Sequence, residues 1–237
     1  MNREIYFIAD DFGLDGDTNR AIVHAHRDGA LHGAALMMGQ PGTDEAVALA
    51  RENPTLQIGW HLHLCHSKPV TCEAWPWGDS PARAGWAMGF LPSARSLMRR
   101  EVSAQWEMFV ATKLPCKYVN SHHHIYAHPA VWSETMRALP MNYHGWVRMG
   151  APHYFSRTAA ARFKEIAGSA WSARRRGNCG LPSCDTLWGM DRTYRMQAHE
   201  VRAAIDTLPP SGMHEFMFHP RKLVDDLDLA ALIQLKK

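Results

Sequence analysis

The sequence predicts an α/β fold, a distorted and incomplete (β/α) barrel of about seven parallel strands. Short apolar runs alternate about seven times with segments of helical period, as parallel strands joined by crossover helices do. The 237 residues suffice for one core of this kind, so residues 1–237 are read as a single domain. Chemically capable residues also fall where the apolar runs end, and in βα barrels functional groups project from the carboxyl ends of strands.

Taken in order, Glu4 to Ala9 reads as a buried strand that the following Asp-Asp-Phe-Gly breaks. Asp17 or Thr18 can cap a helix carrying Ala21, Ile22 and Ala25 on one face, and Gly29 stops it. Ala34 to Met38 is the second apolar run; Thr43, Asp44 and Glu45 open a helix that ends at Asn53-Pro54. Leu56 to Leu64 and Lys117 to Ser121 are the third and fourth strands, with a helix over about 93–112 between them. The remaining pattern predicts helices over 130–139, 156–174 and 198–208, strands over 145–149, 185–187 and 213–218, and a closing helix from Asp225. The stretch 65–92 has no periodicity and carries Pro69, Pro76, Pro81, Gly78, Gly85 and three tryptophans, Trp75, Trp77 and Trp86. It reads as a long functional loop, either a lid or a site of plain tryptophan packing.

Composition narrows the function. Twenty-six basic against 23 acidic residues give a net charge of +3, too balanced for a nucleic-acid or membrane-surface binder. The run Arg174-Arg175-Arg176 reads as a solvated turn. No apolar run approaches the ~18 residues of a membrane span, and the N-terminus lacks a secretory pattern, so a cytoplasmic protein is expected. Five cysteines without an export signal argue for reduced thiols. Fifteen histidines are the unusual number, because imidazole is both the commonest transition-metal ligand and the readiest proton carrier near neutral pH.

Asp10 and Asp11 end the first strand, where one carboxylate can ligate a cation while the other stays free as a base; a turn-forming Asp pair is the plain alternative. His61 and His63 alternate on the third strand and so share a face, as do His122 and His124 in the run Ser121-His122-His123-His124. His219-Pro220 ends the last strand, as a proton donor or a turn residue. Arg148 could hold a carboxylate such as Asp10, or stand exposed at a strand end. In a barrel, Asp11, His61 and His122 would converge above one rim, and one carboxylate with two imidazoles leaves metal positions open for chemistry.

Ala9-Asp10-Asp11-Phe12-Gly13-Leu14, Asn19-Arg20-Ala21-Ile22, Gly59-Trp60-His61-Leu62-His63-Leu64, Ser121-His122-His123-His124 and His219-Pro220 occur in that order. The set resembles the YdjC-like carbohydrate deacetylases, which include chitooligosaccharide and hopanoid-associated deacetylases, over nearly the whole chain. The resemblance implies a fold related to polysaccharide-deacetylase barrels and removal of an N-acetyl group from an amino sugar. It implies Asp10 as general base, Asp11, His61 and His122 as ligands of one divalent ion, and His219 as the acid for the departing amine. His63, His124 and Arg148 would then contact substrate or support the site. The ion would be Zn²⁺ or Mg²⁺, with Mn²⁺ and Co²⁺ also compatible. The partner would be a small N-acetylated sugar, with no nucleic acid and no membrane span, and with homodimerisation left open. Three residues depart from the family pattern: Asn120 where Asp is usual, Tyr126 where a further His is usual, and Arg221 where Gly commonly follows His-Pro. Two other classes fit the same ligands: a metal-dependent barrel isomerase or phosphate-ester hydrolase, and a non-catalytic metal- or sugar-binding protein. No Gly-rich phosphate loop precedes a late helix, which disfavours the phosphate-directed enzymes.

Overall fold

A computed structural model describes residues 2–236. The strands are β1 Arg3–Phe12, β2 Gly33–Leu36, β3 Gln57–Leu62, β4 Tyr118–Ser121, β5 Trp146–Val147, β6 Ala151–His153, β7 Thr186–Trp188 and β8 Gly212–Phe218. The helices are α1 Gly16–Asp28, α2 Thr43–Glu52, α3 Pro81–Phe90, α4 Pro92–Ala111, α5 Pro129–Ala138, α6 Ala159–Cys179, α7 Ala198–Thr207 and α8 Leu227–Lys236. All strand pairs are parallel, in the order β5-β4-β3-β2-β1-β8-β7-β6.

The two edge strands, β5 and β6, are consecutive in the chain and separated only by residues 148–150. Arg148 N donates to Val119 O within β4, while Ala151 N donates to Asp185 O beside β7. Val147 also forms an isolated parallel bridge with Ser183. One bent segment therefore pairs with both ends of the sheet in turn and curls it into the expected incomplete barrel. The sequence reads this segment as one strand and so arrives at about seven; eight strand segments are present.

Inside the curl, Ile8, Ala35, Tyr118, Trp146 and Cys184 form a small apolar cluster. Tyr118 stacks on Trp146 with centroids 4.8 Å apart. A Cβ on Gly59 of β3 would lie 2.2 Å from the Tyr118 ring, so only glycine leaves room for this plug. The two-residue period of strands then carries Asp10, two along from Ile8, and His61, two along from Gly59, to the same interior at the carboxyl end. The larger core lies between the outer face of the sheet and the helices, with Phe7, Ala9, Trp60 and Phe216 buried in it.

Three local expectations change. The cap of α1 is Asp15, whose carboxylate accepts from Thr18 N at 2.8 Å, rather than Asp17 or Thr18. Within 65–92 a helix does form: Ser80 caps it, Pro81 fills its first position, and Ala84, Ala87 and Met88 bury one face. Its glycine content hid the period. Arg174-Arg175-Arg176 lies within α6, not in a turn, and Arg175 sits over the rings of Trp132 and Trp171 at 5.7 and 5.6 Å. All five cysteines are free, and no helix among the described residues is long and apolar enough to cross a membrane.

Candidate metal and catalytic site

The site begins with a defect in β1. Ala9 pairs with Ala34 and Phe12 with Leu36, so β1 spends one more residue than β2 across this interval. The surplus is a β-bulge containing Asp10 and Asp11, and Asp11 takes φ +66°, a conformation that costs a non-glycine residue about 1–3 kcal/mol. Neighbours in a regular strand face opposite sides; here both carboxylates line one cavity. Asn19 secures the turn beyond them, accepting from Gly13 N at 2.8 Å and donating to Gly42 O at 2.8 Å.

That cavity, about 190 Å³, opens at the carboxyl ends of the strands and is lined by Asp10, Asp11, His61, His122, His124 and His219 among others. Asp11, His61 and His122 each offer a ligand atom, all within 4.8 Å of one another. His122 Nδ1 lies 2.8 Å and His61 Nε2 3.4 Å from Asp11 Oδ1. Asp11 Oδ2 and His61 Nε2 are buried without a hydrogen-bond partner. Two buried lone-pair carriers left unsatisfied are costly unless a cation completes them, and one carboxylate with two imidazoles suits a divalent ion.

Asn120 fixes the tautomer in which His61 could serve as a ligand. Its Nδ2 donates to Asp10 Oδ1 at 2.9 Å, which turns its Oδ1 toward His61 Nδ1 at 2.6 Å. The proton on His61 is thereby held at Nδ1, and Nε2 presents its lone pair toward Asp11. Burial works against a charge on His61, but the Asp10 and Asp11 carboxylates outweigh it and leave its pKa raised. Replacing Asn120 by Leu removes both contacts and is expected to weaken divalent-metal binding about 10- to 100-fold, as read by isothermal titration. Unchanged affinity would show that the tautomer is set elsewhere.

Arg148, just past β5, is 1% exposed and answers the question the sequence left open. Its guanidinium meets Asp10 at two points, 2.6 and 2.8 Å, and Glu215 Oε1 at 2.7 Å through Nε. Burial raises the pKa of Asp10, but the charge of the Arg148 guanidinium beside it outweighs that and holds the carboxyl well below its ordinary range. Glu215, wholly buried on β8, is the functional neighbour that sequence reading missed. Its only sequence signal is a carboxylate in the otherwise apolar run Phe216-Met217-Phe218.

The remaining histidines divide. His219 Nε2 is 3.9 Å from Asp10 Oδ2 and its Nδ1 is buried without a partner, while Asp228 accepts its backbone N–H at 2.6 Å. Burial lowers its pKa, partly offset by both aspartates, so the resting ring is neutral. His63 is not brought to the cavity: its ring nitrogens engage Met38 O at 2.8 Å and Ser67 Oγ at 2.9 Å, fixing a loop. The expected shared face with His61 fails because β3 ends at Leu62. Nor do His122 and His124 share a strand face. Residues 122–127 form a 3-10 turn with His123 and His124 at positive φ, which sends His122 to Asp11 and His124 into the cavity wall.

The departures noted in the sequence also find places. Arg221 sits over the ring of Tyr194 at 4.8 Å, and Tyr194 lines the cavity. Trp75 and Trp77 are buried, stacked on each other, and donate to Ser67 O and Leu64 O. They pack the loop rather than offering a face to a ligand; only Trp86, 60% exposed, is free to do so.

A family profile described as "YdjC-like protein" matches residues 4–231. Among curated proteins, a carbohydrate deacetylase of Brevibacillus brevis is 41% identical over 124 residues, covering 52% of this chain and 50% of its own length. A carbohydrate deacetylase of Vibrio vulnificus is 36% identical over 135 residues, covering 53% and 51%. The chain thus spans about half the length of the curated relatives it matches. Among solved structures, an Enterococcus faecalis protein named for cellobiose-phosphate cleavage superposes with TM-score 0.67 at 18% identity, covering 100% of this chain and 91% of that one. At that identity the likeness is one of fold.

Proposed function

Because the chain belongs to the YdjC-like protein family, we propose that it is a metal-dependent hydrolase that removes an N-acetyl group from an amino sugar. The observation that carries this reading is a carboxylate held ionised by Arg148, Asp10, beside a separate trio, Asp11, His61 and His122, able to hold a cation. Asp11, His61 and His122 would hold one divalent ion, Zn²⁺ by the chemistry of the donors, with Mg²⁺, Mn²⁺ and Co²⁺ as alternatives. Such an ion polarises an acyl oxygen and acidifies bound water.

The chain's own residues supply the proton path. Asp10 accepts the proton of the attacking water at a carboxylate oxygen, and Arg148 holds that carboxylate in place through both of its oxygens. His219, neutral at rest and 3.9 Å from Asp10, takes up the proton and delivers it to the departing nitrogen. The absence of charge on His219 before reaction makes it an acceptor first and a donor second. Trp60, Leu62 and Phe218, close in sequence to His61 and His219, are buried in the main core.

Acetate release from N-acetylglucosamine oligomers and other N-acetylated sugars tests this reading. Activity is expected with at least one of Zn²⁺, Mg²⁺, Mn²⁺ or Co²⁺ and is expected to disappear with chelator. No release from any sugar with any of these ions would overturn it.

A further inference from the structure

Beside the site lies a second cavity of about 260 Å³, between the bent β5–β6 segment and α6. We propose that it receives the acyl chain of the substrate amide, so that the enzyme cleaves N-acyl amino sugars whose acyl group is longer than acetyl. This deepens the deacylase reading and rests on it.

The walls are largely apolar: Tyr126, Met149, Pro152, Trp171 and Leu187 face the space. His124 and Met190 line both this cavity and the one holding Asp10, Asp11 and His61, so the two spaces meet at these side chains. An acyl carbon lying in the first would therefore send its chain past His124 and Met190 into the second. Two of the polar groups around it are engaged with the protein itself. The Arg148 guanidinium is taken up by Asp10 and Glu215, and Ser172 Oγ donates to Gly150 O at 3.0 Å. An alkyl chain needs no hydrogen-bond partners along such apolar walls. Transfer of methylenes into such a space favours the longer amide by about fourfold per carbon.

The reaction is unchanged by chain length. Water adds its oxygen to the acyl carbon, the carbon–nitrogen bond breaks, the nitrogen gains a proton, and a longer carboxylate leaves with the free amine.

Glucosamine oligomers acylated with acetyl, butyryl or hexanoyl groups, assayed by amine release in the presence of the supporting metal, test the proposal. Wild type is expected to cleave the butyryl or hexanoyl amide with kcat/KM at least equal to that for acetyl. Ala127→Leu, which adds bulk to the cavity wall, is expected to lower the hexanoyl-to-acetyl ratio about tenfold or more while leaving acetyl cleavage within about twofold. If that variant does not fold, Trp171→Ala enlarges the cavity from its α6 side and is expected to raise the same ratio about threefold or more. Cleavage of acetyl alone, or variants that leave the ratio unchanged, would overturn the cavity's role and leave the deacetylase reading standing. No amine from any chain length would overturn both.

Discussion

Replacing Arg148 by Met is expected to destabilise the protein by about 3–5 kcal/mol and to abolish acetate release. The side chain is buried between Asp10 and Glu215, and removing it leaves two carboxylates in the interior with no counter-charge. Burial already holds the Glu215 pKa above its ordinary value even with the guanidinium present. Without it, both folded-state pKa values rise, so the folded variant binds protons more readily than the unfolded chain. A folded pKa raised above the unfolded one means that stability improves as pH falls toward and below the unfolded value. The deficit is therefore expected to be largest at neutral pH and smaller near pH 5, as read from urea midpoints at the two values. An equal loss at both would show that the cost comes from packing rather than charge.

Asp10→Asn is expected to lower kcat about 10²- to 10⁴-fold, the range for loss of a positioned general base. Its partner Asn120 and the trio Asp11, His61 and His122 keep their places, so divalent-metal affinity is expected to change by less than about tenfold. The two measurements separate base from ligand. Loss of metal binding in this variant would mean that Asp10 belongs to the coordination shell, and retained kcat would remove it from the proton path. Asn120→Leu predicts the opposite weighting, with affinity affected first.

The sequence made much of this legible, and for identifiable reasons. Asp10, Asp11, His61, His122 and His219 stand at or just beyond strand ends, where βα topology exposes side chains, so position along the chain was enough to nominate them. What escaped depends on distance or on local backbone. Arg148 meets Glu215 across 67 positions of sequence, and no local pattern announces a pairing that exists only when β5 and β8 face each other across the curl. The bulge at Asp11 leaves no trace in composition; a regular strand would turn Asp10 and Asp11 to opposite sides, and only φ +66° lets both serve one cavity. His63 was overread because the strand period was carried past Leu62, and the same error placed His124 beside His122. The helix Pro81–Phe90 was hidden by Gly85 and Gly89, although Ser80-Pro81 is a start signal.

The bent segment that joins the two ends of the sheet also divides the site by origin. Asp11, His61 and His122 come from β1, β3 and the end of β4, neighbours that assemble from the first half of the chain. Arg148 sits in the joint itself, and Glu215 and His219 lie beyond it. Until that joint forms, Asp10 has no cation to orient it and no histidine to hand its proton to. Under the proposed reaction, a partly assembled molecule would be a metal chelator without hydrolytic power, and closing the circle would be the event that turns binding into turnover.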